Sequence, residues 1–137
     1  MQLRALQRLF PKAHTQGVEL SNYLCRKYGW SRGSVTTLAT ERDFDLVICN
    51  DVVGYLNDVD CAQALENLAD TCSAALFLGV LTSEDLELCD PERTDGSQID
   101  RSLRWYRRRL DQHFVNVGGG LYLRKPLNVT VWSLDRL

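Results

Sequence analysis

The stretch that most constrains this chain is Phe44-Asp45-Leu46-Val47-Ile48-Cys49. Its apolar run is unbroken rather than alternating. That suits a central strand of a parallel sheet, covered by helices on both faces, and not a half-solvated antiparallel strand. Ala74 to Leu81 is a second run of the same kind. Between the two, Cys61, Ala64, Leu65, Leu68, Ala69 and Cys72 recur at three- and four-residue spacing, the buried stripe of a helix with Asp58 as its expected cap.

The same alternation extends in both directions. Leu3, Leu6, Leu9 and Phe10 mark an amphipathic helix that Pro11 ends. Ala13 to Glu19 reads as a strand, and Ser21 caps a helix over Asn22 to Tyr28 that stops at Gly29. Ser34 to Leu38 is short and β-branched, a further strand. Thr82 to Asp100 is polar and acidic, with Pro91 and Gly96, and reads as a loop or lid. Leu103 to Leu110 is a basic amphipathic helix. Phe114 to Leu123 and Leu127 to Leu134, joined at Lys125-Pro126, read as a closing antiparallel hairpin. The order implies one α/β domain over 1–137, with a mostly parallel sheet wound by helices on both faces and finished by an antiparallel edge.

The totals narrow the partners. With 137 residues there is room for one core. A net charge of -2 gives no electrostatic reason to expect nucleic acid or an anionic membrane surface. No apolar run approaches the roughly 18 residues that span a bilayer, and Met1 to Phe10 lacks a signal peptide's apolar block, so a cytoplasmic address is expected. Five cysteines without a close pair, and only two histidines, argue against a disulfide framework and a metal site. Cys25 and Cys49 lie in apolar runs and read as buried small hydrophobes.

In an open parallel sheet, ligands bind outside the carboxyl ends of the strands. Glu19 closes the first strand, where a carboxylate can accept hydrogen bonds from vicinal ribose hydroxyls. Asn50 and Asp51 close the central strand and must find water, a backbone partner or a ligand. Each has a plainer reading as well. Glu19 can solvate a strand end, Asp51 can cap a turn, and Tyr55 and Leu56 can be core. Arg101, Arg104, Arg107, Arg108 and Arg109 can form a solvated helix face.

Taken together, Gly17-Val18-Glu19-Leu20-Ser21, Gly33-Ser34-Val35 and the run from Phe44 through Asn50-Asp51-Val52-Val53-Gly54-Tyr55-Leu56 resemble the class I S-adenosylmethionine-dependent methyltransferases. The resemblance implies a Rossmann-like sheet and S-adenosyl-L-methionine as cofactor. Glu19 would hold its ribose, Ser34 and Val35 would border adenine, and Asn50 would line the methionine end. Asp51 and Tyr55 would face the methyl group and an unidentified acceptor. The departures are specific. The family's first strand and glycine-rich loop have no counterpart, because Met1 falls inside what would be the following helix. Ser34 stands where the family usually has an acid. Gly118-Gly119-Gly120 is no substitute for the loop, since no helix follows it. A sheet lacking that strand has unpaired edges, so the chain is expected to form a homo-oligomer. Two further readings stay open: a non-catalytic binding or dimerisation module, and another Rossmann-type nucleotide binder.

Overall fold

The structure is a computed structural model and describes residues 2–130. It divides into two compact units, Met1–Thr37 and Leu38–Leu137.

The first unit opens with helix α1, Gln2–Leu9, and continues into a short β–α–β unit. Strand β1 is Val18–Glu19, helix α2 is Asn22–Tyr28, and strand β2 is Ser31–Arg32. β1 and β2 pair in parallel, Val18 beside Ser31 and Glu19 beside Arg32. The bounds of α2 are those its sequence marks. Ser21 Oγ accepts from the Leu24 N–H at 3.4 Å, and Gly29 closes the helix in the left-handed conformation at φ 70°. A Cβ at Gly17 would lie 2.6 Å from Trp30 Cδ1, so the indole packs on bare backbone at the entry to β1. Two expectations fail here. The strand expected over 13–19 is only two residues long. Ser34 to Leu38 is not a strand, and Val35–Thr37 forms a 3₁₀ turn. The Ser34 hydroxyl accepts from the Thr36 N–H at 3.2 Å and bonds the Thr36 hydroxyl at 2.8 Å, a local alternative to a strand ladder.

The second unit carries β3 (Phe44–Asn50), α3 (Asp58–Thr71), β4 (Cys72–Gly79), α4 (Ser83–Leu86), α5 (Leu103–Leu110), β5 (Phe114–Gly118) and β6 (Leu121–Arg124). Its sheet has the order β3-β4-β6-β5. β3 and β4 are parallel, and β6 runs antiparallel to both β4 and β5. Three of the four strands therefore point the same way. α3 packs on β3, β4 and α5, and α5 packs on β5. Leu65, Leu76, Tyr106, Leu110 and Phe114 are fully buried between them, each such side chain contributing on the order of 1.5–3 kcal/mol.

Three sequence expectations are corrected in this unit. The cap of α3 is Asn57, whose Oδ1 accepts from the Asp60 N–H at 2.9 Å, while Asp58 stands in the first turn. β3 is the terminal strand of its sheet, paired on one side only. The closing hairpin lies inside the expected single strand 114–123, because Gly118, Gly119 and Gly120 all adopt positive φ and turn the chain there. β6 then enters between β4 and β5 instead of forming an edge. Residues 127–130 are not strand. The rest of the expected strand 127–134, with Trp132, lies outside the described residues. Among those described, no helix is long and apolar enough to cross a membrane.

Candidate functional site

The carboxyl ends of β3 and β4 meet at one tight corner. Asp51, just past β3, has φ 55° and is the one non-glycine residue with positive φ among the described residues. For an L-residue that conformation costs on the order of 1–2 kcal/mol. Two bonds hold it there. The Asp51 N–H donates to the Gly79 carbonyl at 2.8 Å, and Asn50 Nδ2 donates to Asp51 Oδ2 at 2.5 Å. Gly79 makes the corner possible, since a Cβ there would lie 2.1 Å from Asn50 Oδ1. Strain of this kind persists only where surrounding bonds over-determine it, and such positions concentrate at functional sites.

Beyond the corner, Val53–Tyr55 forms a 3₁₀ turn that the 95–101 segment grips. The Tyr55 hydroxyl donates to Asp95 Oδ2 at 3.0 Å and accepts from Gln98 Nε2 at 3.3 Å. The Ile99 N–H donates to the Gly54 carbonyl at 2.8 Å. The Asp95 carboxyl is held below the ordinary carboxylate range by the Ser97 hydroxyl, the Ser97 N–H and the Tyr55 hydroxyl. Tyr55 is 42% exposed, and its hydroxyl is engaged with this segment.

Arg101, read from sequence as part of a solvated basic face, is 4% exposed. Its Nε donates to Asp58 Oδ1 at 2.7 Å and its Nη2 to the Leu56 carbonyl at 2.5 Å. A longer contact of 3.5 Å reaches the Val53 carbonyl. One guanidinium thus ties the turn after Asp51 to the start of α3. The sequence signal for it was Ser102, the N-cap of α5, which puts Arg101 ahead of the helix and off its solvated face.

Glu19, Ser34 and Val35 belong to the first unit. The Gly33 N–H donates to the Glu19 carbonyl at 3.1 Å, so Glu19 and Ser34 stand at the same end of the two-stranded sheet. Glu19 Oε1 accepts from the Leu20 and Ser21 N–H groups at 2.8 and 2.9 Å. Val35 is half-buried in its turn. Asn50, Asp51 and Tyr55 belong to the second unit, where Asn50 and Asp51 are in contact and Tyr55 is latched to Asp95. Among the described residues, no three His, Cys, Asp or Glu side chains gather as metal ligands would. All five cysteines are free and four are buried. Burial pushes the Cys49 thiol up to about 12, so it stays protonated.

Neither a protein-family profile nor a curated protein sequence matches the chain. Solved structures do. The magnesium protoporphyrin IX methyltransferase of Synechocystis PCC 6803, solved with bound SAM, aligns at 13% identity and TM-score 0.56, over 82% of this chain and 60% of that one. The N-methyltransferase NodS of Bradyrhizobium japonicum WM9, in complex with S-adenosyl-L-homocysteine, aligns at 13% identity and TM-score 0.56, over 80% and 65%. An S-adenosylmethionine-dependent methyltransferase of Clostridium acetobutylicum ATCC 824 aligns at 14% identity and TM-score 0.58, over 86% and 77%. The chain spans between half and two thirds of the first two proteins' length. The likeness is one of fold, and the fold is that of the class I methyltransferases.

Proposed function

We propose that this chain is a methyltransferase domain that uses S-adenosyl-L-methionine and acts on an acceptor held against the carboxyl ends of β3 and β4. The observation that carries the reading is the strained Asn50–Asp51 corner over Gly79, on a fold shared with methyltransferases solved with SAM or its demethylated product. Each unit, taken by itself, offers groups suited to part of such a cofactor. With Oε1 of Glu19 bound to backbone, Oε2 is the oxygen that would accept from the ribose hydroxyls. Val35 offers an apolar edge for adenine, and Asn50 would line the methionine end. When bound, the cofactor supplies a methyl carbon on a positively charged sulfur. Asp51 would hold the acceptor heteroatom through its proton and take that proton as general base. Asn50 fixes the Asp51 carboxylate for that task, so the chain acts chiefly by positioning and proton removal. Tyr55 acts in this scheme as the anchor of the 95–101 segment.

A second reading, a non-catalytic binding or dimerisation module, has its own support. The Ser34 hydroxyl, at the expected adenine edge, is engaged with Thr36. Calorimetric titration with S-adenosyl-L-homocysteine separates the two. The transferase reading expects weak binding, a Kd of about 0.1–1 mM or roughly -5.5 to -4 kcal/mol, weakened further by about 1–3 kcal/mol in Glu19→Gln through loss of a charge-assisted bond, with little change in melting temperature. No heat of binding at millimolar ligand favours the module. A melting shift without an affinity change makes Glu19 structural.

A further inference from the structure

A cleft of about 340 Å³ opens beside the Asn50–Asp51 corner, within the second unit. Gly79 joins the two, since a Cβ there would meet both Asn50 Oδ1, at 2.1 Å, and Phe77 Cε1, at 3.3 Å, and both Gly79 and Phe77 line the cleft. Phe77, Val80 and Leu103 form half-buried apolar walls, and the buried Tyr106 and Tyr122 form the floor. The two carboxylates around it are already hydrogen-bonded. Glu84 Oε2 accepts from the Leu103 N–H at 2.9 Å, and Asp85 Oδ2 accepts from the Thr82 N–H and hydroxyl at 2.9 and 2.8 Å. Arg107 interacts electrostatically with Glu84. Across the cleft, Asn116 Oδ1 accepts from the Gly118 N–H at 2.7 Å, which leaves its Nδ2 to donate inward.

We infer that this cleft takes a small, uncharged, mostly apolar ring compound with one hydrogen-bond acceptor on its edge and a separate hydroxyl or N–H, and that this compound is the methyl acceptor, that hydroxyl or N–H being the group Asp51 deprotonates. Its role as acceptor rests on the transferase reading above, and its chemical class rests on the lining. A charged ligand would lose hydration against the apolar walls, beside carboxylates that already hold backbone donors. A neutral ring recovers apolar contact with Phe77, Val80 and Leu103 and one bond from Asn116. The volume lies near the lower end of small-molecule sites, about 300–1,000 Å³, which suits one ring or two fused rings.

The test titrates the isotope-labelled chain with quinoline, which is neutral with one ring acceptor, and separately with indole, benzoate and benzylammonium, following amide shifts by NMR. Quinoline is expected to shift the amides of Leu103, Gly119 and Gly120 and to bind more tightly than the other three. Leu103→Trp should fill the cleft and abolish those shifts. Asn116→Asp keeps the oxygen that Gly118 uses and removes the donor, so it should weaken quinoline about three- to tenfold and leave indole unchanged. Any of three results overturns the inference: no cleft shifts with quinoline at millimolar concentration, tighter binding of either ion, or unchanged quinoline affinity in Asn116→Asp. S-adenosyl-L-homocysteine, titrated into the same sample, reports on the transferase reading by itself through the Glu19 and Asn50 amides. Its failure with quinoline binding intact removes the acceptor role, and the converse removes the cleft.

Discussion

Asp51 holds a conformation that aspartate adopts at a cost, and the cost has a measurable counterpart. At φ 55° its side chain bonds Asn50 and its N–H bonds the Gly79 carbonyl. Glycine relieves the strain and keeps the backbone bond, so Asp51→Gly should raise urea-unfolding stability by about 1 kcal/mol and, under the proposed transferase function, abolish methyl transfer. Asp51→Ala keeps the strain, loses the bond to Asn50 and should lower stability. If Asp51→Gly is less stable than the unsubstituted chain, the side-chain bond outweighs the strain. The sequence placed Asn50 and Asp51 correctly at a strand end, because the apolar run stops there. It did not show the left-handed turn, since the cause lies in Gly79, 28 positions away and in contact only once β3 and β4 pair. Arg101 was misplaced for a related reason. A helix-periodic reading cannot see that Asp58 and the Leu56 carbonyl, more than 40 residues back, will surround it.

Elements whose boundaries are set by local chemistry were legible. α2 runs from its Ser21 cap to its Gly29 stop, and β3 matches its apolar run with one added residue. The hairpin was not, because three glycines in a row mark a turn only once β6 pairs with β5 and β4 on either side of it. The end of the loop or lid expected over 82–100, together with Arg101, proves to be fastened at three points: Tyr55 to Asp95 and Gln98, Ile99 to Gly54, and Arg101 to the 53–58 turn. Arg101→Ala strips hydrogen bonds from the Leu56 carbonyl and from Asp58, and should cost about 2–4 kcal/mol of stability, with loss of amide protection at Ile99 and Leu56. Protection that survives with full stability would show that the turn holds itself. The Asp95 fastening has a defined pH window. Its folded pKa is depressed, so its contribution is fully present above the ordinary carboxylate value of about 4 and fades only as pH falls through the lower folded value. Tyr55 ring and Ile99 amide resonances should therefore stay constant from pH 7 to 5 and move only in more acid solution. Movement centred between pH 5 and 7 would exclude Asp95 as the partner that matters.

At the scale of the whole molecule, the strand expected at the centre of one sheet is the terminal strand of a four-stranded one, and a second sheet holds β1 and β2. The consequence falls on the edge of β3. It is seven residues long and pairs only with β4, and Leu46 is 44% exposed. Edges of this kind template pairing with another chain unless they are short, bulged, covered or charged. The segment has no lysine or proline, and its one charge, Asp45, accepts a hydrogen bond from the Ser73 hydroxyl at 3.1 Å. The irregularity between Phe44 and Leu46 disrupts the start of the strand, leaving Leu46 to Asn50 in continuous register with β4. A second copy can meet this edge about a two-fold axis normal to the sheet, each β3 lying antiparallel to its partner. That contact is self-complementary and closed, the commonest form of soluble assembly. It would join two four-stranded sheets into one of eight and pair backbone groups on the side of β3 away from β4. The chain is therefore expected to dimerise at micromolar concentration, with a sedimentation-equilibrium mass about twice the 15.6 kDa of one chain. Leu46→Lys puts a charge on that edge at an exposed position and should return a monomer with an unchanged circular dichroism spectrum. If the unmodified chain sediments as a monomer over the same range and melts cooperatively, its edge is satisfied without a partner and the self-association is wrong.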